Sequence, residues 1–84
     1  MSQQLLKYLG SIDIKKNKTY TSDAIIDNFA SCNVLLFKNK VNVSINATDA
    51  INVDINEVTF IEDGMTFIFT SDSVVVACEY KGTL

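Results

Sequence analysis

Apolar residues occupy odd positions and polar residues even positions from Val41 to Asn56, except around residues 48–50. A period of two is typical of strands with one buried face. Paired residues of an antiparallel hairpin point to the same face, so odd positions must pair with odd ones, and the simplest connection is a three-residue loop at 48–50. This register places Ile45 opposite Val53. The even positions then form a candidate polar face of three facing pairs: Asn46 with Asn52, Ser44 with Asp54, and Asn42 with Asn56.

The alternation shifts by one residue at 56–57, because the next apolar residues, Val58 and Phe60, occupy even positions. A change of phase without Gly or Pro predicts a β-bulge inside one long, bent strand. A short turn at the same place is the alternative.

Two more turns are indicated toward the C-terminus. Asp63-Gly64 is typical of a two-residue hairpin turn, and residues 71–72 fit a second loop. The predicted pairs are Phe60 with Phe67, Val58 with Phe69, Val74 with Phe69, Val76 with Phe67 and Cys78 with Met65.

The opposite face of these last three strands is also apolar. An antiparallel sheet with one solvated face does not show such a stripe, so a helix of the N-terminal third or a second copy of the chain is expected to cover it. The residues of this candidate interaction face are Thr59, Ile61, Thr66, Ile68, Val75 and Ala77.

The N-terminal third predicts short helices. Leucines share a helical face within residues 3–9, and Gly10 follows as a stop. Residues 11–15 favour a brief strand, and residues 33–37 begin the β region. Residues 21–31 predict a helix, because Thr21, Ser22 or Asp23 could cap it and the apolar residues that follow have helical spacing.

These elements together predict a mainly β fold. We expect a five-stranded antiparallel meander, as a strongly bent sheet or a small barrel, with one or two short helices from the N-terminal third. A chain of 84 residues is expected to form one domain, residues 1–84, with a thin core.

Composition argues against most catalytic chemistry. The chain has no histidine, so it lacks the usual general base near neutral pH. It has no arginine, so it lacks the planar guanidinium group that binds phosphates through two hydrogen bonds. Cys32 and Cys78 are expected to be free buried thiols, with a strand-to-strand disulfide as the alternative. We therefore predict no enzyme, no catalytic residue, no cofactor and no metal site.

Charge is unevenly placed along the chain. Residues 1–40 contain six lysines and three aspartates, a net charge of +3, whereas residues 41–84 contain one lysine and seven acidic residues, a net charge of −6. A basic protein partner or head-to-tail self-contact would suit this pattern if the fold separates the halves. Nucleic acid is not expected, because the chain is acidic overall.

The leading functional hypothesis is a small, acidic, non-catalytic protein-binding module that binds another protein or itself. Chains of this kind are common among phage and mobile-element accessory proteins, including inhibitors of host machinery. The alternatives are a structural subunit of phage or virion type that self-assembles through the apolar face or through a strand edge such as residues 74–80, and a small-ligand or nucleotide-binding barrel that uses the polar face. The N-terminus resembles no signal peptide and no apolar run spans a bilayer, so a cytoplasmic protein is expected, in the host cytoplasm if phage-encoded.

Overall fold

Two four-stranded antiparallel sheets and one short helix make up the fold in a computed structural model, which describes residues 5–82. The strands are β1 (Leu6–Ile14), β2 (Thr19–Thr21), β3 (Val34–Phe37), β4 (Val41–Ile45), β5 (Ile51–Val53), β6 (Val58–Phe60), β7 (Thr66–Phe69) and β8 (Ser73–Tyr80), and the helix is α1 (Ser22–Asn28). The first sheet has the order β1-β8-β3-β6, and the second has the order β2-β7-β4-β5.

The mainly β, antiparallel prediction is confirmed, whereas the five-stranded meander and the small barrel are wrong. Eight strands form two sheets and no closed barrel in the described part of the chain. Among the strands of residues 5–82, only β4 and β5 pair as consecutive strands, because every other connection passes from one sheet to the other. A period-two pattern shows which residues face inward, but it does not show which strand lies alongside.

The two sheets pack face to face around one core, and α1 adds Ile25 to it. The core residues of the sheets come from six strands and are apolar on the inward side: Ile14, Leu35, Phe37, Val41, Val43, Val53, Phe67, Phe69, Val75 and Ala77.

The helix predicted at 3–9 is wrong for residues 6–9, which belong to β1, while residues 3 and 4 lie outside the described residues. Tyr8 pairs with Cys78 and Gly10 pairs with Ala77, so Leu9 is the extra residue of a β-bulge. This extra residue breaks the period of two and produces a leucine spacing that looks helical. The strand expected at 11–15 is confirmed as the second half of β1.

The helix predicted at 21–31 is confirmed in its central part as α1. Thr21 is the N-cap, and its side chain accepts a hydrogen bond from the backbone N–H of Ala24 at 3.2 Å. Ser22 is fully buried, and its hydroxyl oxygen accepts a hydrogen bond from the backbone N–H of Met65 at 3.0 Å. These two hydroxyl groups fix where the helix begins and hold it against the segment before β7.

The hairpin of β4 and β5 keeps the predicted parity, but its predicted three-residue loop is wrong. Val43 pairs with Ile51 and Asn42 pairs with Asn52, so the loop between the paired residues is longer and comprises residues 44–50. β4 pairs with β7 along its other edge, and there the pairing continues to Ile45. Asn46 and Ala47, which follow, turn the chain at positive φ. All three predicted polar pairs are therefore wrong: Asn46–Asn52, Ser44–Asp54 and Asn42–Asn56.

The shift of the alternation at 56–57 coincides with a turn. The predicted bulge is therefore wrong, and the short-turn alternative is confirmed. The backbone N–H of Glu57 donates to the carbonyl of Asp54 at 3.2 Å, and Asn56 has a φ of 68°. The turn carries the chain from β5 in the second sheet to β6 in the first.

Gly64 also has positive φ, as the predicted Asp63-Gly64 turn requires, but the turn does not close a hairpin. It connects β6 to β7, which belong to different sheets, and the loop at 71–72 likewise connects β7 to β8. All of the strand pairs predicted for this region are therefore wrong: Phe60–Phe67, Val58–Phe69, Val74–Phe69, Val76–Phe67 and Cys78–Met65. In the structure β6 pairs with β3, and β8 pairs with β1 and β3.

Candidate functional site

The six residues of the predicted interaction face do not lie on one surface. Val75 and Ala77 are fully buried and Ile61 is nearly so, all within the core between the sheets. The second sheet covers these three residues. Thr66 and Ile68 are half-buried on the outward side of β7, and Thr59 is half-buried in β6. A binding role for these residues stays a prediction, for which only Thr59, Thr66 and Ile68 remain partly accessible.

The predicted polar face is divided between a strand surface and two turns. Asn42 and Asn52 face each other on the outward side of the second sheet, and Ser44 follows along the same strand. Asp54, Asn46 and Asn56 lie in the turns instead.

The turn residues of this set have structural partners. The side-chain oxygen of Asn46 accepts a hydrogen bond from the backbone N–H of Thr66 at 3.0 Å. The side-chain oxygen of Asn56 accepts one from Lys38 Nζ at 3.3 Å. The backbone N–H of Asp54 donates to the Glu57 carboxylate at 2.8 Å. A ligand role for the polar face stays a prediction.

Sequence reasoning missed the outward face of the first sheet, where apolar side chains form two rows across the strands. Strand alternation makes this face the reverse of the core face, because residues such as Leu35 and Val75 point to the second sheet. The aromatic row is formed by Tyr8, Cys78, Val34 and Phe60, which pair in that order from β1 to β6. The aliphatic row is formed by Val76, Leu36 and Val58 on β8, β3 and β6, and the polar Ser11 of β1 lies at its end.

The middle of this face forms a hydrophobic cluster of its own. It consists of Val34, Leu36, Val76 and Cys78, all buried, with Leu6 packed against them. This small cluster is separate from the core between the sheets. Within residues 5–82, the first sheet is therefore apolar on both faces, although only one of them is covered by another sheet.

The ends of the two rows are exposed to solvent. The exposed fraction is 57% for Tyr8, 58% for Phe60 and 45% for Val58, and it is 38% for Tyr80, which lies beside the aromatic row. The Phe60 and Tyr80 rings meet edge to face with centroids 5.5 Å apart. We call these four residues together with the two rows the apolar outer face. Neither row contains a charged side chain.

Local structure fixes the position of Tyr80 on this face. The side-chain oxygen of Asn33 accepts a hydrogen bond from the backbone N–H of Tyr80 at 2.7 Å, and its amide donates to the Tyr80 carbonyl at 3.4 Å. A side chain at Gly82 would overlap the Tyr80 hydroxyl, so the glycine leaves room for the ring. Asn33 thus extends the pairing of β3 with β8, and the aromatic ring is held at the edge of the face.

A cleft of about 640 Å³ lies between β1, β2 and α1. Ile12, Tyr20 and Phe29 are among its lining residues. The Tyr20 hydroxyl accepts a hydrogen bond from the backbone N–H of Lys15 at 2.8 Å and donates to the Asp13 carbonyl at 3.4 Å. Because this hydroxyl is bonded to backbone on both sides, it holds the β1–β2 corner together.

The two cysteines are free and buried, as predicted. Burial raises the pKa of the Cys32 thiol and of the Cys78 thiol above the ordinary value. Each thiol also donates a weak hydrogen bond to a backbone carbonyl at 3.5 Å, that of Val34 for Cys32 and that of Val76 for Cys78. Protonated, enclosed thiols are poor nucleophiles, so the geometry assigns them to packing.

Comparisons with known proteins add no relationship: no family model matches the chain, and no curated protein or solved structure is significantly similar to it. Among residues 5–82, acidic and thiol side chains do not gather in groups of three that could hold a metal ion. The helix in this part of the chain has seven residues, and no helix there is long and apolar enough to cross a membrane.

Proposed function

We propose that this protein is a small, non-catalytic protein-binding module that uses the apolar outer face as its binding surface. The observation that carries the proposal is the exposure of Tyr8, Val58, Phe60 and Tyr80 on one face of a sheet whose other face is already covered. Several large apolar side chains exposed on the same sheet face are typical of interaction sites in small proteins.

The residue types on the face suit protein recognition. Aromatic side chains supply large contact areas and lose little conformational freedom on binding, and they dominate interface energetics. Tyr8 and Tyr80 also carry hydroxyl groups that can form hydrogen bonds at the rim. The absence of charge from both rows means that no ion loses its hydration when a partner covers them.

Charge separation plays no part in this proposal. The first sheet alternates strands from the basic and acidic parts of the chain, because its order is β1-β8-β3-β6. The partner, another protein or a second copy, is therefore proposed to recognise the apolar face, and a basic partner is not required. A cytoplasmic location and an accessory role in a phage or mobile element remain part of the proposal by analogy with other small chains.

The two alternative functions stay open as proposals of lower rank. A structural subunit would use the same face for self-assembly. A ligand-binding role for the polar face has less support, because Asn46, Asp54 and Asn56 already serve turns.

Affinity capture with matched variants tests the binding proposal. Phe60→Asp places a charge on the outer face, and Ile55→Asp is the control, because both residues are 58% exposed and Ile55 lies in the turn between β5 and β6, outside both rows. We expect tagged wild-type protein and Ile55→Asp to capture the same protein from the cells that produce the chain, and Phe60→Asp to lose it. Equal capture by all three would contradict the proposed surface.

A further inference from the structure

We propose that the free edge of β1, together with the cleft beside it, binds an extended segment of another protein, which adds a strand to the first sheet. This site is separate from the apolar outer face and goes beyond the proposed function. Three features of the molecule support it: the unpaired backbone groups of the edge, the apolar lining of the cleft, and the charge at one end of the cleft.

The edge of the first sheet on this side is β1. The edge predicted at residues 74–80 is not free, because β8 lies between β1 and β3. β2 is likewise the first strand of the second sheet, and the cleft of about 640 Å³ lies between β1, β2 and α1. Two sheet edges therefore border one cleft, and a free strand edge is a template for pairing with another chain.

The backbone of β1 presents hydrogen-bonding groups at this edge. Val74 pairs with Asp13, but the Val74 carbonyl accepts from the Lys38 N–H at 3.1 Å, on the side of β3. The backbone groups of Asp13 must then point away from β8, as must those of Ser11 two residues earlier. The Tyr20 hydroxyl donates to the Asp13 carbonyl. Among residues 5–82, the Asp13 N–H and both backbone groups of Ser11 have no partner.

These groups match the backbone of an extended peptide. In strand addition, a peptide residue opposite Ser11 exchanges two hydrogen bonds with it, and the main chain supplies much of the affinity. The edge ends at Asp13, because the Tyr20 hydroxyl also accepts from the Lys15 N–H at 2.8 Å. The added segment is therefore expected to lie along residues 8–13.

The cleft selects one apolar side chain of the added segment. Ile12 pairs with Val75 of the core, so a peptide residue opposite Ile12 points its side chain to the same side. The Phe29 ring packs at Gly10 and Tyr20 at Asp13, so the two rings flank this position. The cleft volume lies within the roughly 300–1,000 Å³ of ligand-binding clefts.

Charge at one end of the cleft favours an acidic segment. Lys15, Lys16 and Lys18 are exposed at the corner between β1 and β2, and Lys18 lines the cleft. Asp13 and Asp72 offset only part of this charge, and Asp72 Oδ1 accepts from the Lys16 N–H at 2.9 Å. Exposed charges direct encounter and orientation more than they add affinity. The occupant is thus an extended segment with an apolar residue in the cleft and an acidic residue toward this corner.

Selection from a phage-displayed library of random linear peptides, with the full chain as target, supplies the probe. Ala24→Trp fills the cleft, because Ala24 is exposed and lines it. Ala30→Trp is the matched control, because Ala30 is exposed and lies outside the lining. We expect the enriched peptides to bind wild type and Ala30→Trp equally and Ala24→Trp at least about tenfold more weakly. Melting temperatures check that both variants are folded.

Amide hydrogen exchange in the wild type tests strand addition without any substitution. A synthetic copy of the most enriched peptide should slow exchange of the Ser11 and Asp13 N–H groups at least about tenfold. The Ile12 N–H points to β8 and should change little. N-methylation of the peptide at alternate residues should abolish binding in one of the two possible sets and not in the other, since only one set faces the edge.

The outcomes separate this site from the proposed function. A selection that enriches no peptide overturns the edge site, as do peptides that Ala24→Trp binds as tightly as the wild type. Peptides that bind without protecting Ser11 and Asp13 overturn strand addition. Peptides that Phe60→Asp loses and Ala24→Trp retains bind the apolar outer face, which supports the proposed function and contradicts this site. Loss in Ala24→Trp alone supports the edge site, and the capture experiment then decides the proposed function.

Discussion

Asparagine residues set several of the turns in this protein. Asn17, Asn46 and Asn56 each have a φ between 56° and 68°, a conformation that most side chains avoid and asparagine tolerates. Their backbone N–H groups donate to carbonyls of strand residues, for example from Asn17 to Phe69 at 2.8 Å. The abundance of asparagine thus has a local physical reason at these positions.

Burial of the two thiols predicts a pH dependence of stability. A thiol whose pKa is raised in the folded state contributes stability that is complete below its unfolded pKa and is lost as the pH rises above about 8.5. Urea unfolding between pH 7 and pH 10 should therefore show a steeper loss of stability for the wild type than for a Cys32→Ala, Cys78→Ala variant. Equal slopes would show that the cysteines are not responsible.

At the level of elements, the bulge in β1 and the helix α1 depend on each other. A side chain at Gly10 would overlap the Phe29 ring, so the glycine in the bulge allows the residue after α1 to pack against β1. Thr21 both ends β2 and caps α1, which makes the strand-to-helix corner sharp. Local sequence indicates the cap at Thr21, whereas the bulge spaces the leucines before Gly10 as a helix would.

The cap predicts a specific loss of stability. Thr21→Ala should lower the free energy of unfolding by about 1 kcal/mol, because the N–H of Ala24 loses its acceptor. Thr21→Ser keeps the hydroxyl and should retain most of the stability. Thr19→Ala is the matched control, since Thr19 lies exposed in the same strand and caps nothing. Chemical denaturation measures all three, and a loss in Thr21→Ser equal to that in Thr21→Ala would argue against the cap.

The whole molecule is organised by connections that pass between the sheets. The first sheet receives strands from both ends of the chain, and β8 lies between β1 and β3 with buried residues on both of its faces. One face packs on the second sheet, and the other belongs to the apolar outer face. This arrangement separates Phe60 from Phe67, which a single meander would have paired.

That separation predicts unequal effects of two similar truncations. Phe67→Ala should lower the free energy of unfolding by about 3–5 kcal/mol, because Phe67 is fully buried in the core. Phe60→Ala should lower it by less than about 1 kcal/mol at concentrations where the protein is monomeric, since the side chain is largely exposed. Equal losses, measured by urea titration, would favour a single sheet in which both rings share one buried face.

The sequence by itself determined the local features of this protein: strand-forming stretches, the parity of residues 41–55, the helix near residues 21–31 and the turn at Gly64. These depend on period, capping and positive φ, which are properties of neighbouring residues. Tertiary structure decided which strands pair, which of two apolar faces is the core, and where the exposed aromatic residues meet. Tyr8, Phe60 and Tyr80 are far apart along the chain, and a period of two assigns each only to a side of its own strand. Their assembly into one face follows from the order β1-β8-β3-β6, which is set by packing between distant segments.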